Sequence, residues 1–159
     1  MSIVLKNSNN VTQVLDITGG GTGATDKTEA LSNLGLAWKY TNAGDGTGNI
    51  TLNTTNCTDS SNIECHYNDI LAIFTISIYS KASWSSSNWY DLCTLSSDFI
   101  SKIGHTYASG FNGAISTSHP CEFRVNTWES GNTISVHPIS ANPASGSQLF
   151  GKCIIAVTP

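Results

Sequence analysis

Three groups of residues in this chain could do chemistry by type and spacing. The first is the run Thr18-Gly19-Gly20-Gly21-Thr22-Gly23-Ala24, which follows a short apolar stretch and precedes a helix-like segment. Gly19-x-Gly21-x-x-Ala24 satisfies in form the loop that holds a dinucleotide's pyrophosphate at a helix N-terminus. Such a loop belongs to a βαβ unit of about 30 residues, closed by an acidic residue. Here the helix-like segment stops at Gly35, and a glycine-rich, hairpin-like stretch follows, "YTNAGDGTGNITL". No later segment supplies helices to cover a parallel sheet, and no Tyr-x-x-x-Lys pair is present. No nucleotide and no other cofactor is expected.

The second group is carboxylates and metal-ligand types. Glycoside hydrolysis needs two placed carboxylates. The glutamates are Glu29, Glu64, Glu122 and Glu129; among the aspartates, Asp45, Asp59 and Asp69 lie in loop-like sequence, and nothing marks a pair. Cys65-His66 and His119-Pro120-Cys121 are ligand types without C-x-x-C, H-x-H or H-x-x-x-H spacing. Buried thiols beside exposed imidazoles explain them, and no metal is expected.

The third group is aromatic. "SKASWSSSNWYD" sets Trp84, Trp89 and Tyr90 around a serine-rich bend, and Trp128 precedes a tight turn. A tryptophan in a polar loop offers a flat apolar face and a hydrogen-bond donor, which suits stacking on a sugar ring. The expected ligand-binding residues are Trp84 or Trp89, with Asn88 and Asp91 bonding hydroxyls. Trp128 and Glu129 form a second candidate. The competing reading is that single tryptophans plug the ends of the fold. Trp89 would then point inward, because it begins a strand and alternates with Asp91.

The elements that position these residues follow from composition and periodicity. Serine, threonine and asparagine make up about a third of the 159 residues, and charged residues only 11%. With 39% hydrophobic residues, this describes a β-rich protein whose solvent faces are hydroxyl and amide. Seven scattered basic residues and a net charge of −4 argue against nucleic acid, which needs clustered cations. No apolar run approaches the roughly 20 residues that span a bilayer, and "MSIVLKNSNN" does not read as a signal peptide. The cysteines (Cys57, Cys65, Cys93, Cys121 and Cys153) are therefore expected as free, shielded thiols of a chain made in a bacterial cytoplasm.

Residues 1–36 stand apart. "TDKTEALSNLGL" has Asp26 and Glu29 spaced as a capping box and Gly35 as a stop. Ala30, Leu31 and Leu34 share one face of a helix too short to stand alone. From 37 to 159 strand signals take over: "AWKY", "NITL", "DILAIFTISIYSK", "NWYDLCTL", "HTYASGFNG", "CEFRVNTW", "TISVHPIS" and "LFGKCIIAV". About eight short strands with such turns predict a sandwich, jelly roll or barrel. The run Ile70 to Tyr79 predicts a strand buried on both sides in its first half.

"GGTGATDKTEALSNLGL" resembles the repeat of bacteriophage tail fibres, in which a Gly-Gly-Thr-Gly-Ala-Thr loop leads into a short Ala/Leu helix ending in Asn-Leu-Gly-Leu. About twenty residues are covered, and Asp26 and Lys27 sit where that family varies. "NWYDLCTLSSDFISK" and "NTWESGNTISV" resemble, more faintly, a strand-and-turn and a hairpin of phage head domains. Ser96-Ser97 and Ser101 replace residues of that pattern. The resemblance implies a stalk followed by a β-sandwich or jelly-roll-like head in a homotrimer, with Ala30, Leu31 and Leu34 between the three chains. It implies a virion protein of the tail fibre or baseplate, contacting other tail or baseplate proteins. The head would bind a bacterial surface polysaccharide or teichoic-acid-like glycan, without catalysis. The alternative is a trimerising connector that touches no receptor; a wall-polysaccharide depolymerase ranks behind both.

Overall fold

The computed structural model describes residues 5–6, 12–13, 22–105, 107–115, 119–128, 131–139 and 142–157. The chain divides into two compact units between Trp38 and Lys39, two residues beyond the boundary read from composition.

In the first unit, strands β1 (Leu5–Lys6) and β2 (Thr12–Gln13) pair antiparallel, and helix α1 spans Lys27–Asn33. Both ends of α1 are closed by local chemistry. Asp26 Oδ1 accepts from the Glu29 N–H at 2.9 Å. Glu29 Oε2 reaches back to the Thr25 N–H at 2.8 Å and its hydroxyl at 3.0 Å, so two backbone donors at the helix start are satisfied together. At the other end Gly35 turns left-handed, at φ 69°. The Gly35 N–H then bonds to the Ser32 carbonyl and the Leu36 N–H to that of Leu31, the two bonds of a Schellman stop. The helix buries none of its residues, and Leu31 and Leu34 are both exposed.

The second unit is mainly all-β. Its strands are β3 (Lys39–Asn42), β4 (Ile50–Leu52), β5 (Asn62–Tyr67), β6 (Leu71–Tyr79), β7 (Tyr90–Leu95), β8 (Tyr107–Ile115), β9 (His119–Asn126), β10 (Thr133–Pro138) and β11 (Gln148–Ala156). All join one antiparallel ladder in the order β3-β5-β6-β11-β8-β9-β10-β7-β4. Alternation decides which side chains face in. Ile63 and Cys65 of β5, Ala72, Phe74, Ile76 and Ile78 of β6, and Cys153 and Ile155 of β11 meet Phe123 and Val125 of β9 and Ile134 and Val136 of β10 in one cluster. Both halves of the ladder share that core, so the sheet folds over on itself. Each large side chain so buried contributes about 1.5–3 kcal/mol.

Four features depart from the sequence reading. β5 went unrecognised, although Ile63, Cys65 and Tyr67 alternate inward. The serine-rich "LSSDFISK" is not only strand and turn: Ser97–Ile103 form a helix, α2, with Ser96 as its cap. Phe99, Ile100 and Ile103 are buried, and Phe99 meets Tyr67 and Phe74 edge to face. "YTNAGDGTGNITL" is not a hairpin, because β3 pairs with β5 and β4 with β7 at opposite ends of the ladder. On β6 only one side is fully buried; Leu71 and Ile73 on the other are half-exposed.

The ends of the ladder are short edge strands, which offer little backbone to a stray partner. Between them Asp45 organises the loop. Its Oδ2 accepts from the Thr41 hydroxyl at 2.6 Å and the Asn42 N–H at 3.0 Å, and its Oδ1 from the Thr47 hydroxyl at 2.6 Å and N–H at 2.8 Å. These bonds, from Thr41 first and Thr47 next, hold the Asp45 carboxyl well below the usual range.

Candidate functional site

The serine-rich bend between β6 and β7 sends its two tryptophans in opposite directions. Trp84 is buried in the core. Its ring stacks on Tyr90, its backbone N–H donates to the Pro143 carbonyl at 2.9 Å, and the neighbouring Ser85 N–H donates to the Tyr90 hydroxyl at 2.7 Å. Both sides of this ring are taken by protein, so Trp84 is withdrawn as a sugar platform. It is a plug.

Trp89 lies on the outer face instead, contrary to the inward alternative. Its neighbours show this: Arg124 alternates with Phe123 and Val125 on β9, and His137 follows the buried Val136 on β10. The Arg124 guanidinium carbon sits 4.4 Å from the Trp89 ring centroid. The His137 ring lies 5.2 Å from it at 27°, and His137 Nε2 is 2.8 Å from the Ser86 carbonyl oxygen. Asn142 secures the bend from a third direction, its Oδ1 accepting from the Ser86 N–H at 2.7 Å. Asn88 is exposed at the tip.

Asp91 joins the same outer face. β7 pairs Asp91 with Ser135 and then slips, so that Cys93 faces Ile134 and Leu92 is the extra residue of a bulge. The Ser135 hydroxyl donates to Asp91 Oδ1 at 2.6 Å. Trp89, Asn88, Asp91, Arg124 and His137 thus mark one polar, aromatic face over β7, β9 and β10. The sequence reading named the first three and missed the last two. Their outward positions were legible in "CEFRVN" and "TISVHP"; their proximity to Trp89 depends on strand order.

Trp128 stands at the β9–β10 turn, 55% exposed. Its N–H donates to Asn126 Oδ1 at 3.1 Å, and its ring is 5.6 Å from His105. His105 Nδ1 is 2.7 Å from the Thr127 carbonyl oxygen. Asn132 closes the turn at φ 43°. Glu129, its proposed companion, lies outside the described residues, as do Gly19, Gly20 and Gly21.

The loop joining β3 and β4 borders an open cleft of about 550 Å³ with glycines on its rim, Ile50 and Leu52 in its wall, and Asp59 and Ser61 opposite. Among the described residues that line it none is aromatic.

Among the described residues no group of His, Cys, Asp and Glu could hold a metal ion. All five cysteines are buried, and none is in a disulfide. Several carboxylates are individually engaged: Asp45 by its threonines, Asp69 by Lys39 at 3.1 Å, Glu64 by the Tyr40 hydroxyl at 3.3 Å. Among the described residues no helix is long and apolar enough to cross a membrane. No family model, no curated protein and no solved structure matches the chain.

Proposed function

We propose that this chain is the attachment end of a bacteriophage tail fibre or baseplate: a homotrimer whose all-β head binds a bacterial surface glycan without breaking bonds. The observation that carries this reading is α1. It is capped at both ends, resembles the tail-fibre repeat in sequence, and buries nothing, while Leu31 and Leu34 lie exposed. A seven-residue helix is not stable through its own hydrogen bonds. Packing against symmetry copies of itself gives it the missing partner.

The head supports the same reading. Tyr40, Phe150 and Ile154 are exposed on the outer face of the β3-β5-β6-β11 half, apolar surface of the kind that marks association. The Trp89 face and Trp128 offer rings beside hydroxyl and amide groups, as sugar recognition uses. A shallow sugar site binds weakly by itself. Three heads on one fibre raise the effective concentration and turn weak binding into attachment. Such a protein is made in the host cytoplasm and carried in the virion, held by other tail or baseplate proteins.

Light scattering and a glycan array test the proposal together. The expected result is a mass near three times 16.9 kDa and retention on bacterial wall polysaccharide. Trimers that retain no glycan would favour the connector role. Release of reducing ends from cell wall would make the protein a depolymerase.

A further inference from the structure

Arg124 occupies an unusual position. It rises from β9, which has β8 on one side and β10 on the other, so its stem leaves the middle of the outer face and not an edge. The residue is half-buried, its Nε is buried with no hydrogen-bond partner, and among the described residues no carboxylate lies within ion-pair distance of it. Charged side chains withdrawn from water are ordinarily paired with an opposite charge. The acids nearest in the ladder do not serve. Glu122 is two residues along the same strand, across from His137, and Asp91 already accepts from Ser135.

Trp89 explains why the guanidinium stays in place. The ring at 4.4 Å holds it by cation–π attraction. His137 on the same ring and Asn142 on the bend brace the tryptophan in turn. The result is a planar guanidinium pre-positioned on the sheet, whose terminal Nη donors meet no acceptor among the described residues. Such a fork matches the two oxygens of a carboxylate or phosphate, a geometry that a lysine cannot reproduce.

We infer that Arg124, seated on Trp89, binds an oxyanion carried by the receptor, so that the glycan recognised by this head is an acidic one bearing phosphodiester or carboxylate groups. This rests on the attachment reading above and specifies the ligand's charge. Trp89 then acts as the platform for the arginine, and its remaining edge and the Asn88 amide meet the adjoining sugar. An acidic protein with few cations would otherwise repel such a polymer, which makes one well-placed arginine the more decisive.

The test uses the full chain on an array holding neutral, carboxylate-bearing and phosphate-bearing bacterial polysaccharides, with poly(glycerol phosphate) and dextran as defined probes. The wild type should retain acidic polymers and release them as salt rises, and the preferred acidic class tells phosphate from carboxylate. Arg124→Gln should weaken binding about ten- to hundredfold per head, the worth of one charge-assisted contact. Arg124→Lys should recover only part of it. Thermal unfolding checks that the variants fold and assemble. Retention of neutral glycans, with Arg124→Gln binding like wild type, would overturn this inference and leave the attachment reading standing. Failure to bind any glycan would overturn both. A lower melting temperature with undiminished glycan binding would make Arg124 a brace for the bend and nothing more.

Discussion

Trp84 and Tyr90 stack ring on ring, with centroids 4.9 Å apart and planes 12° from parallel. The pair closes the core beneath the serine-rich bend, while Trp89, one residue before Tyr90, turns out to the surface. Truncating Trp84 should therefore cost stability and not recognition. Trp84→Ala is expected to lose about 3–5 kcal/mol, measured by urea unfolding. Trp84→Phe should lose much less, because the buried indole Nε1 has no hydrogen-bond partner to forfeit. Equal losses in the two variants would contradict the stacking account.

Gly151 sits in the middle of β11, where a strand ordinarily gains from a side chain. A Cβ there would run into the ring of Phe123, which is fully buried. Gly151→Ala should cost about 1–3 kcal/mol through overpacking. A second change, Phe123→Leu, should relieve part of that clash. If the double variant is as unstable as the sum of its parts, the two residues are not coupled as their contact implies.

The buried thiols give a pH dependence with a definite sign. Burial pushes Cys57, Cys65 and Cys153 from 9.0 up to about 12, and Cys93 upward as well. The folded state then holds protons that the unfolded chain releases. Their contribution to stability is complete below pH 9 and is lost as pH rises from about 9 towards 12. Unfolding free energy from these groups should be level through neutrality and fall above pH 9, by roughly 1 kcal/mol per pH unit for each thiol. Native protein should resist thiol reagents that find five thiols per chain after denaturation. Rapid native labelling would show that the thiols are not shielded.

How far the sequence could be read depended on whether the cause was local. The caps of α1 are made by Thr25, Asp26, Glu29 and Gly35 within one short segment, so the helix was legible to its ends. Most head strands were legible through their alternation. β5 escaped because Glu64 and His66 interrupt its apolar set, and α2 because Ser96 and Ser97 read equally as a turn. The tryptophans show the limit more sharply. Trp84 and Trp89 share one serine-rich bend, yet one is fixed inward by Pro143 and the other is flanked by Arg124 and His137. Those partners come from β9, β10 and the segment between β10 and β11, and only the tertiary fold brings them to the bend.

Assembly is tested most directly at the stalk. Leu34 is 52% exposed in the single chain, and the attachment reading places it between three chains. Leu34→Asp should shift the protein from trimer towards monomer, since burying an unpaired carboxylate costs several kcal/mol. The head should stay folded, as circular dichroism would record. A trimer undisturbed by Leu34→Asp would move the interface elsewhere, with the exposed head face around Ile154 the next place to substitute.

The remaining tryptophan tests the second half of the receptor site. Trp128 is exposed at the turn after β9, where its only ring neighbour among the described residues is His105. It supports no part of the core, so Trp128→Ala should change stability by less than about 0.5 kcal/mol. Lost stacking on a sugar is expected to cost about tenfold in binding per head, a difference near 1.4 kcal/mol. Avidity multiplies the deficit when three heads engage together. Adsorption to bacteria should therefore fall more steeply than binding of short oligosaccharides. Trp89→Ala should reduce both, because it removes the support of Arg124 as well as a ring. If Trp128→Ala adsorbs like the wild type while Trp89→Ala does not, the glycan is read on the β7–β9–β10 face alone. If neither variant is impaired, the sugar-binding surface lies elsewhere on the head.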